Sequence, residues 1–318
     1  MLRKGAIQRV PFSEKGFYHR MFLVAKKGGG QRPVLDLSPL NKFIQTEHFK
    51  RENLMTIKSL ITKGDYMINI DLTDAYLTVP IHPSSQKFLR FLWQGQSYQF
   101  VTMPFGLNVA PRVFTKLMKP VTSWLRGQGV RMIIFLDDIL VLAPTIETLN
   151  QHARMTINLL ESLGFLINYQ RSTLVPTQRI LFLGMLIDSS TMEFVLPKDK
   201  KENILRECRY LLRTKQPSIR QISRVLGLLE FTRPAIWAAP LHYHHLQLLQ
   251  IESLHRSSDY NTQVSLSKDA KLDVNWWITN LPSLGGSPIL PLTADLTISS
   301  DASKIGWGAA WGNRRTGG

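Results

Sequence analysis

Two adjacent acids, Asp137 and Asp138, sit inside the apolar run MIIFLDDILVL, residues 132–142. Burying an unpaired carboxylate costs several kcal/mol, so a chain that folds must supply a counter-charge. No Lys or Arg lies within the run. A bound divalent cation is the simplest remedy, and hard cations such as Mg²⁺ prefer carboxylate oxygen. A second acid, Asp71, ends the segment YMINID, whose alternation suits a buried strand. Two strands that each end in carboxylates can form a socket for two metal ions. Two such ions roughly 4 Å apart can activate an attacking 3′-hydroxyl and stabilise a leaving pyrophosphate.

The charge balance points the same way. The 318 residues include 39 Lys and Arg against 23 Asp and Glu, a net charge of +16. Such an excess, scattered rather than packed into a tail, fits a groove for a polyanion, nucleic acid before an anionic membrane surface. A basic chain with a carboxylate socket suggests nucleotidyl transfer. A hydrophobic content of 44% marks a globular protein, and the length suggests two or three domains. The single cysteine, Cys208, excludes an internal disulfide and Cys-based zinc sites. No apolar run approaches the ~20 residues that span a bilayer, and MLRKGAIQRV lacks the apolar core of a signal peptide. An intracellular protein is expected, nuclear or cytoplasmic, with no membrane partner.

Elements to position these acids are legible along the chain. Residues 22–25 and 34–37 read as strands joined by the basic, glycine-rich tip KKGGGQR. Residues 52–62 read as a helix stopped by Gly64. A strand at 97–102 precedes a helix at 111–127, which has Val113, Phe114, Leu117, Met118, Val121 and Leu125 at helical spacing. Asp137 and Asp138 fall in a strand–turn–strand. A helix at 147–163 ends at Gly164, and RILFLGMLID reads as a hairpin. Beyond Pro197 the pattern is helical: 200–214, with Ile204, Cys208, Leu211 and Leu212 on one face; 219–229, capped by Ser218; 240–254; and 272–281. Residues 282–291 read as a linker, and TISSDASKIGWGAAW as two strands with a turn.

The ordered segments QRPVLDLSPLN, INIDLTDAYLTVPI, FVTMPFGLNVAPRVFTKLM, FLDDIL, LGFLINYQRSTLVPTQ and ILFLGMLID resemble the reverse-transcriptase motif series of retroelements. The flanks KGAIQRVP, GFYHRMFLVAKKGGGQRPVLDL, PFGLNVAPRVFTKLMKPV and TRPAIWAAPLHYHHL resemble the DIRS order, the tyrosine-recombinase retrotransposons. The resemblance covers nearly the whole chain. It implies an α+β right-hand polymerase: fingers and palm with an antiparallel sheet in residues 1–196, helical thumb and connection in 197–291, and the start of a ribonuclease H domain in 292–318. The implied activity is RNA-directed DNA polymerisation with two Mg²⁺ ions, Mn²⁺ being a substitute. The partners are an RNA or DNA template with primer, and dNTPs; protein partners and oligomeric state are left open.

Carried over by position, the resemblance makes Asp71 and Asp137 the main metal ligands, with Asp138 the adjacent acid. Asp74 and Ala75 would lie near the triphosphate, and Tyr76 would be the steric gate against a 2′-hydroxyl. Arg32, with Lys26 or Lys27, would bind triphosphate oxygens. Phe105 and Gly106 would line the floor under the incoming base, Phe105 matching retrotransposon usage. Phe182, Leu183 and Gly184 resemble the hairpin that grips the primer. The family commonly has a lysine after the LGF segment, proposed to protonate pyrophosphate. Here the nearest basic residue is Arg171, a poor general acid that can stabilise charge. Arg220, Gln221 and Arg224 share a helix face that could track phosphates. His242, His244 and His245 lack zinc-site spacing.

ISSDASKIGWGAAW resembles the first strand and turn of ribonuclease H, with Asp301 its first acid. The remaining acids would lie downstream, so ribonuclease H activity is not expected from these residues, and the chain reads as a piece of a longer polyprotein. Two rival readings remain. A decayed copy would bind nucleic acid without catalysis; the intact acids argue against it, and Arg171 argues for it. A cyclase with a related palm would carry a GGDEF-like turn, which is absent.

Overall fold

A computed structural model describes residues 1–12, 15–25, 31–289 and 296–318. The chain divides into two compact units, Met1–Thr191 with Val195–Asn203, and Met192–Phe194 with Ile204–Gly318.

The first unit opens with strands β1 (Ile7–Arg9), β2 (Tyr18–His19), β3 (Met21–Ala25) and β4 (Gln31–Leu35), then short helices α1 (Ser38–Asn41) and α2 (Leu54–Ile57). Strand β5 (Tyr66–Thr73) leads into a 3-10 turn, Ala75–Thr78, and the short helix α3 (Pro83–Gln86). Hairpin β6 (Arg90–Trp93)–β7 (Gln96–Phe100), helix α4 (Ala110–Gly127) and hairpin β8 (Arg131–Phe135)–β9 (Asp138–Ala143) follow. Helix α5 (Ile146–Ser162), strands β10 (Leu166–Ile167) and β11 (Thr173–Thr177), and hairpin β12 (Arg179–Phe182)–β13 (Met185–Asp188) complete it.

Three of these strand groups matter for the site. The central sheet has the order β10-β5-β9-β8, with β11 also pairing β5, and its pairs are antiparallel. A second sheet has the order β1-β7-β6-β2, and β3 and β4 form a separate hairpin. In the central sheet, Ile139 to Ala143 of β9 are fully buried, as are Met67, Ile68 and Ile70 of β5. A strand buried on both faces reads as an unbroken apolar run, which explains the sequence around Asp138. Phe114, Met118 and Leu125 of α4 and Leu149 and Leu160 of α5 complete that core. Thr145 caps α5 by accepting from Thr148 N–H, and Gly164, at φ 85°, follows its last turn.

The second unit includes most of β14 (Glu193–Val195) and of α6 (Lys198–Arg213), with all of α7 (Ile219–Glu230), α8 (His244–Arg256) and α9 (Lys268–Asn280). Strand β15 (Gly286–Pro288) pairs with β14. Ile204, Cys208 and Leu211 of α6 are buried, as the helical pattern requires. Ser218 and Gln221 form a reciprocal capping box on α7. Trp277 of α9 is fully buried, with its Nε1–H donating to the His242 carbonyl at 2.8 Å. Strands β16 (Ser299–Ala302), β17 (Trp307–Trp311) and β18 (Arg314–Gly317) form an antiparallel sheet in sequence order. Among the described residues, no helix is long and apolar enough to cross a membrane.

Three expected elements differ. The helix expected over 52–62 is only α2, because Asn53 caps it at Leu54, and Glu52 instead accepts from Ile134 N–H and Arg126. The helix expected over 240–254 breaks at Tyr243, φ −138°, into a 3-10 turn and α8. The linker expected over 282–291 contains β15.

Candidate active site

Strand register builds the site. Asp71 of β5 lies directly opposite Asp138 of β9. Phe135 pairs with Asp138 across the β8–β9 hairpin, which leaves Leu136 and Asp137 as its two-residue turn. The Asp137 carbonyl accepts from Leu72 N–H at 2.9 Å, tying the turn to β5. Leu136 has φ 58°. Left-handed backbone costs a non-glycine residue roughly 1–2 kcal/mol, and such strain concentrates where a turn must present a particular side chain.

The electrostatics are those of crowded acids. Asp71 is 3% exposed. Burial raises its carboxyl pKa, Arg171 lowers it, Asp137 raises it and the Asn168 side chain lowers it. Asp138 is pushed up to about 6, by burial first and then by Asp137 and Asp71, against Arg171 and a hydrogen bond from Asn69. Asp71 Oδ2 lies 3.5 Å from Arg171 Nη2, while its Oδ1 is buried with no hydrogen-bond partner. Among the described residues, no three His, Cys, Asp or Glu side chains close on a common point as a metal cage. Carboxylates without a cation repel one another, and here Arg171 supplies part of the counter-charge. The donor set still fits a hard divalent cation: it is all carboxylate oxygen, one oxygen is buried and unpaired, and a cation would remove the repulsion that raises Asp138.

Beside these acids lies the cluster expected at the nucleotide. Asp74, at φ 51°, pairs with Lys4. Ala75 and Tyr76 are buried in the turn that follows. The Tyr76 ring packs on Phe105 and Phe114 at 5.1 and 5.6 Å between centroids, and its hydroxyl pKa is raised by burial and by Asp137. Phe105 is 47% exposed. Gly106 has φ 95°, a backbone conformation that favours glycine, and an added Cβ would meet the Leu35 carbonyl at an ordinary contact distance of 3.4 Å. Lys26 and Lys27 lie outside the described residues. The Arg32 backbone pairs with Val24 in the β3–β4 hairpin, and its side chain is likewise outside the description.

Other candidates divide. Phe182 is 1% exposed, its side chain part of the core. Leu183 and Gly184, at φ 49° and 78°, form the turn of the β12–β13 hairpin and are what that hairpin can present. Gln221 is engaged in the α7 cap, while Arg224 donates to Glu207 at 3.0 Å and Arg220 to Asn261 at 3.3 Å, both in exposed pairs. His242 stacks on Trp276, with ring centroids 3.6 Å apart, and burial lowers its pKa; His245 pairs with Asp273. Asp301 is exposed on β16, opposite Gly308. Sequence reasoning missed Asn69, Asn168 and Ser172. Asn69 was findable, because it lies two residues before Asp71 and so shares its strand face. Asn168 and Ser172 carry no local signal beyond their nearness to Arg171.

A family model for reverse transcriptase (RNA-dependent DNA polymerase) matches residues 24–187. The chain belongs to the reverse transcriptase family. Among its relatives, the genome polyprotein of Petunia vein clearing virus is 27% identical over 65% of this chain. The Pro-Pol polyprotein of feline foamy virus is 27% identical over 67%, and protein P of duck hepatitis B virus is 29% identical over 55%. The matches span only 9%, 17% and 22% of those three relatives. In fold, the chain is similar to the foamy viral protease-reverse transcriptase in complex with double-stranded DNA, with TM-score 0.72 and 18% identity over 97% of this chain and 50% of that one. It is equally similar to that protein in complex with RNA/DNA hybrid, with TM-score 0.72 and 19% identity over 98% and 39%. The α+β polymerase fold expected from the motif order is therefore the observed one.

Proposed function

We propose that this chain is an active RNA-directed DNA polymerase that extends a primer with deoxynucleotides on an RNA or DNA template. The observation that carries the reading is the cross-strand pairing of Asp71 with Asp138, with Asp137 at the adjoining turn, in a member of this family. Asp71 and Asp137, supported by Asp138, would hold two divalent cations, which would supply activation of the primer 3′-hydroxyl and charge stabilisation of the leaving pyrophosphate. The 3′-oxygen attacks the α-phosphorus and the bond to pyrophosphate breaks. Tyr76, wedged between Phe105 and Phe114, limits the space under the sugar and so favours deoxynucleotides. Arg32, with Lys26 or Lys27, and the backbone at Asp74 and Ala75 bind the triphosphate.

The proposed layout is fingers and palm in residues 1–196, thumb and connection in 197–291, and the first strands of a ribonuclease H-like domain, with Asp301 its first acid, in 292–318. The flanking motifs favour a DIRS-type retrotransposon polyprotein as the source. The excess of positive charge supports a nucleic-acid duplex as partner, and the foamy viral relative was solved with such duplexes.

Primer extension tests the reading. Purified chain, an RNA template with DNA primer, four dNTPs and Mg²⁺ should give extension that vanishes in Asp137→Asn/Asp138→Asn. Salt-sensitive duplex binding without extension would replace the reading with that of a decayed copy.

A further inference from the structure

The segment after β10 is latched onto Asp71. Asn168 N–H donates to the Asp71 carbonyl at 2.8 Å, and Asp71 N–H donates to Ser172 Oγ at 2.9 Å. Ser172 Oγ–H in turn donates to the Asn168 carbonyl at 2.8 Å, and Arg171 N–H reaches the same carbonyl at 3.1 Å. This closed set of bonds sets Arg171 beside the Asp71 carboxylate, 3.5 Å from Nη2 to Oδ2. That separation is an ion pair longer than a good hydrogen bond. The two partners differ in freedom: the Arg171 side chain is 67% exposed and that of Asp71 is 4% exposed. The guanidinium can leave without disturbing the core, whereas the carboxylate cannot move.

From this geometry we infer that Arg171 is a resident counter-ion of the acid site. It balances Asp71 while no metal is bound, and it competes with a divalent cation for that carboxylate. The latch explains why the competitor is local and permanent: Asn168 and Ser172 hold the backbone, so Arg171 is never far from Asp71. The inference rests on the proposed role of Asp71 as a metal ligand.

The test is Mn²⁺ binding to the whole chain, followed by calorimetry without nucleic acid, with melting in EDTA as a second readout. Arg171→Gln should bind Mn²⁺ about threefold or more tighter than wild type, melt lower in EDTA and recover when Mn²⁺ is added. Arg171→Lys keeps the charge and should stay near wild type. In an Asp71→Asn background, Arg171→Gln should change nothing. Arg171→Ala removes the same charge and carries the comparison where Arg171→Gln does not fold. Wild-type binding that Asp71→Asn abolishes but Arg171→Gln leaves unchanged overturns the counter-ion alone. Binding by wild type that Asp71→Asn does not weaken overturns the metal-ligand reading and the counter-ion with it.

Discussion

Asp138→Asn should stabilise the metal-free protein at and above neutral pH. In the fold, burial and the charges of Asp137 and Asp71 raise the Asp138 pKa from the ordinary 3.8 to about 6. A raised carboxyl pKa means that the native state holds this proton more tightly than the unfolded chain does. The resulting cost to the fold is absent below the unfolded value, grows between 3.8 and about 6, and is constant above that. At 1.36 kcal/mol per pH unit the ceiling is about 3 kcal/mol. Asp138 is part-exposed, and solvent screening cuts that by half or more, to about 1 kcal/mol. For the unit that holds the acids, Met1–Thr191 with Val195–Asn203, about 1 kcal/mol moves the melting temperature by about 2–4 °C. Thermal melts of wild type and Asp138→Asn in EDTA, from pH 4 to pH 8, read this directly. The variant should melt about 2–4 °C higher at pH 8, with the gap closing as the pH falls toward 4. Mg²⁺ should narrow or reverse the gap, since it favours the wild-type carboxylate. A gap that does not change with pH, or a wild type that melts higher at pH 8 in EDTA, would refute the reasoning.

Tyr76→Val opens space beside Phe105 and Phe114 and should raise ribonucleotide use relative to deoxynucleotide by about tenfold or more; an unchanged ratio of kcat/KM for the two substrates would rule out the sugar-gate role. Arg131 donates to both carboxylate oxygens of Asp65, at 2.8 and 2.6 Å, and Asp65 is 1% exposed. Arg131→Leu leaves that carboxylate buried without its partner and should cost about 3–5 kcal/mol, a fall in melting temperature of about 6 °C or more; a change under about 2 °C would show that the pair contributes little to the fold.

The sequence carried the elements well and the long-range charge partners poorly, for a physical reason. The period of apolar residues marks which face of a helix or strand is buried, so α4, α5, β9 and the face of α6 were legible. The pairing of Asp71 with Asp138 was also within reach, because each ends a buried strand. Charge partners have no such period. Arg171 against Asp71, Arg131 against Asp65 and Lys4 against Asp74 join residues distant in sequence. The local reading at Asp137 and Asp138 therefore saw only a missing counter-charge and assigned all of it to metal. At Phe182 motif and period point different ways. A motif marked it for contact with a primer, but its side chain belongs to the alternation that fills the core.

The placement of the acids follows from how the core is packed. Successive side chains on a strand point to opposite faces, so a one-residue slip between β5 and β9 would turn every side chain to the other face of a sheet packed on both. Both strands are buried along most of their length, so such a slip would lose far more apolar contact than the acids could recover. The core thus holds the register, and the register sets Asp71 against Asp138 however strongly the two repel. The same logic explains why the repulsion is tolerated instead of relieved by movement. The backbone under Asp71 and Asp138 is fixed by the β5–β9 pairing, so an added positive charge is the simplest relief. In the metal-free chain that charge is Arg171, held at the one carboxylate with no other exit.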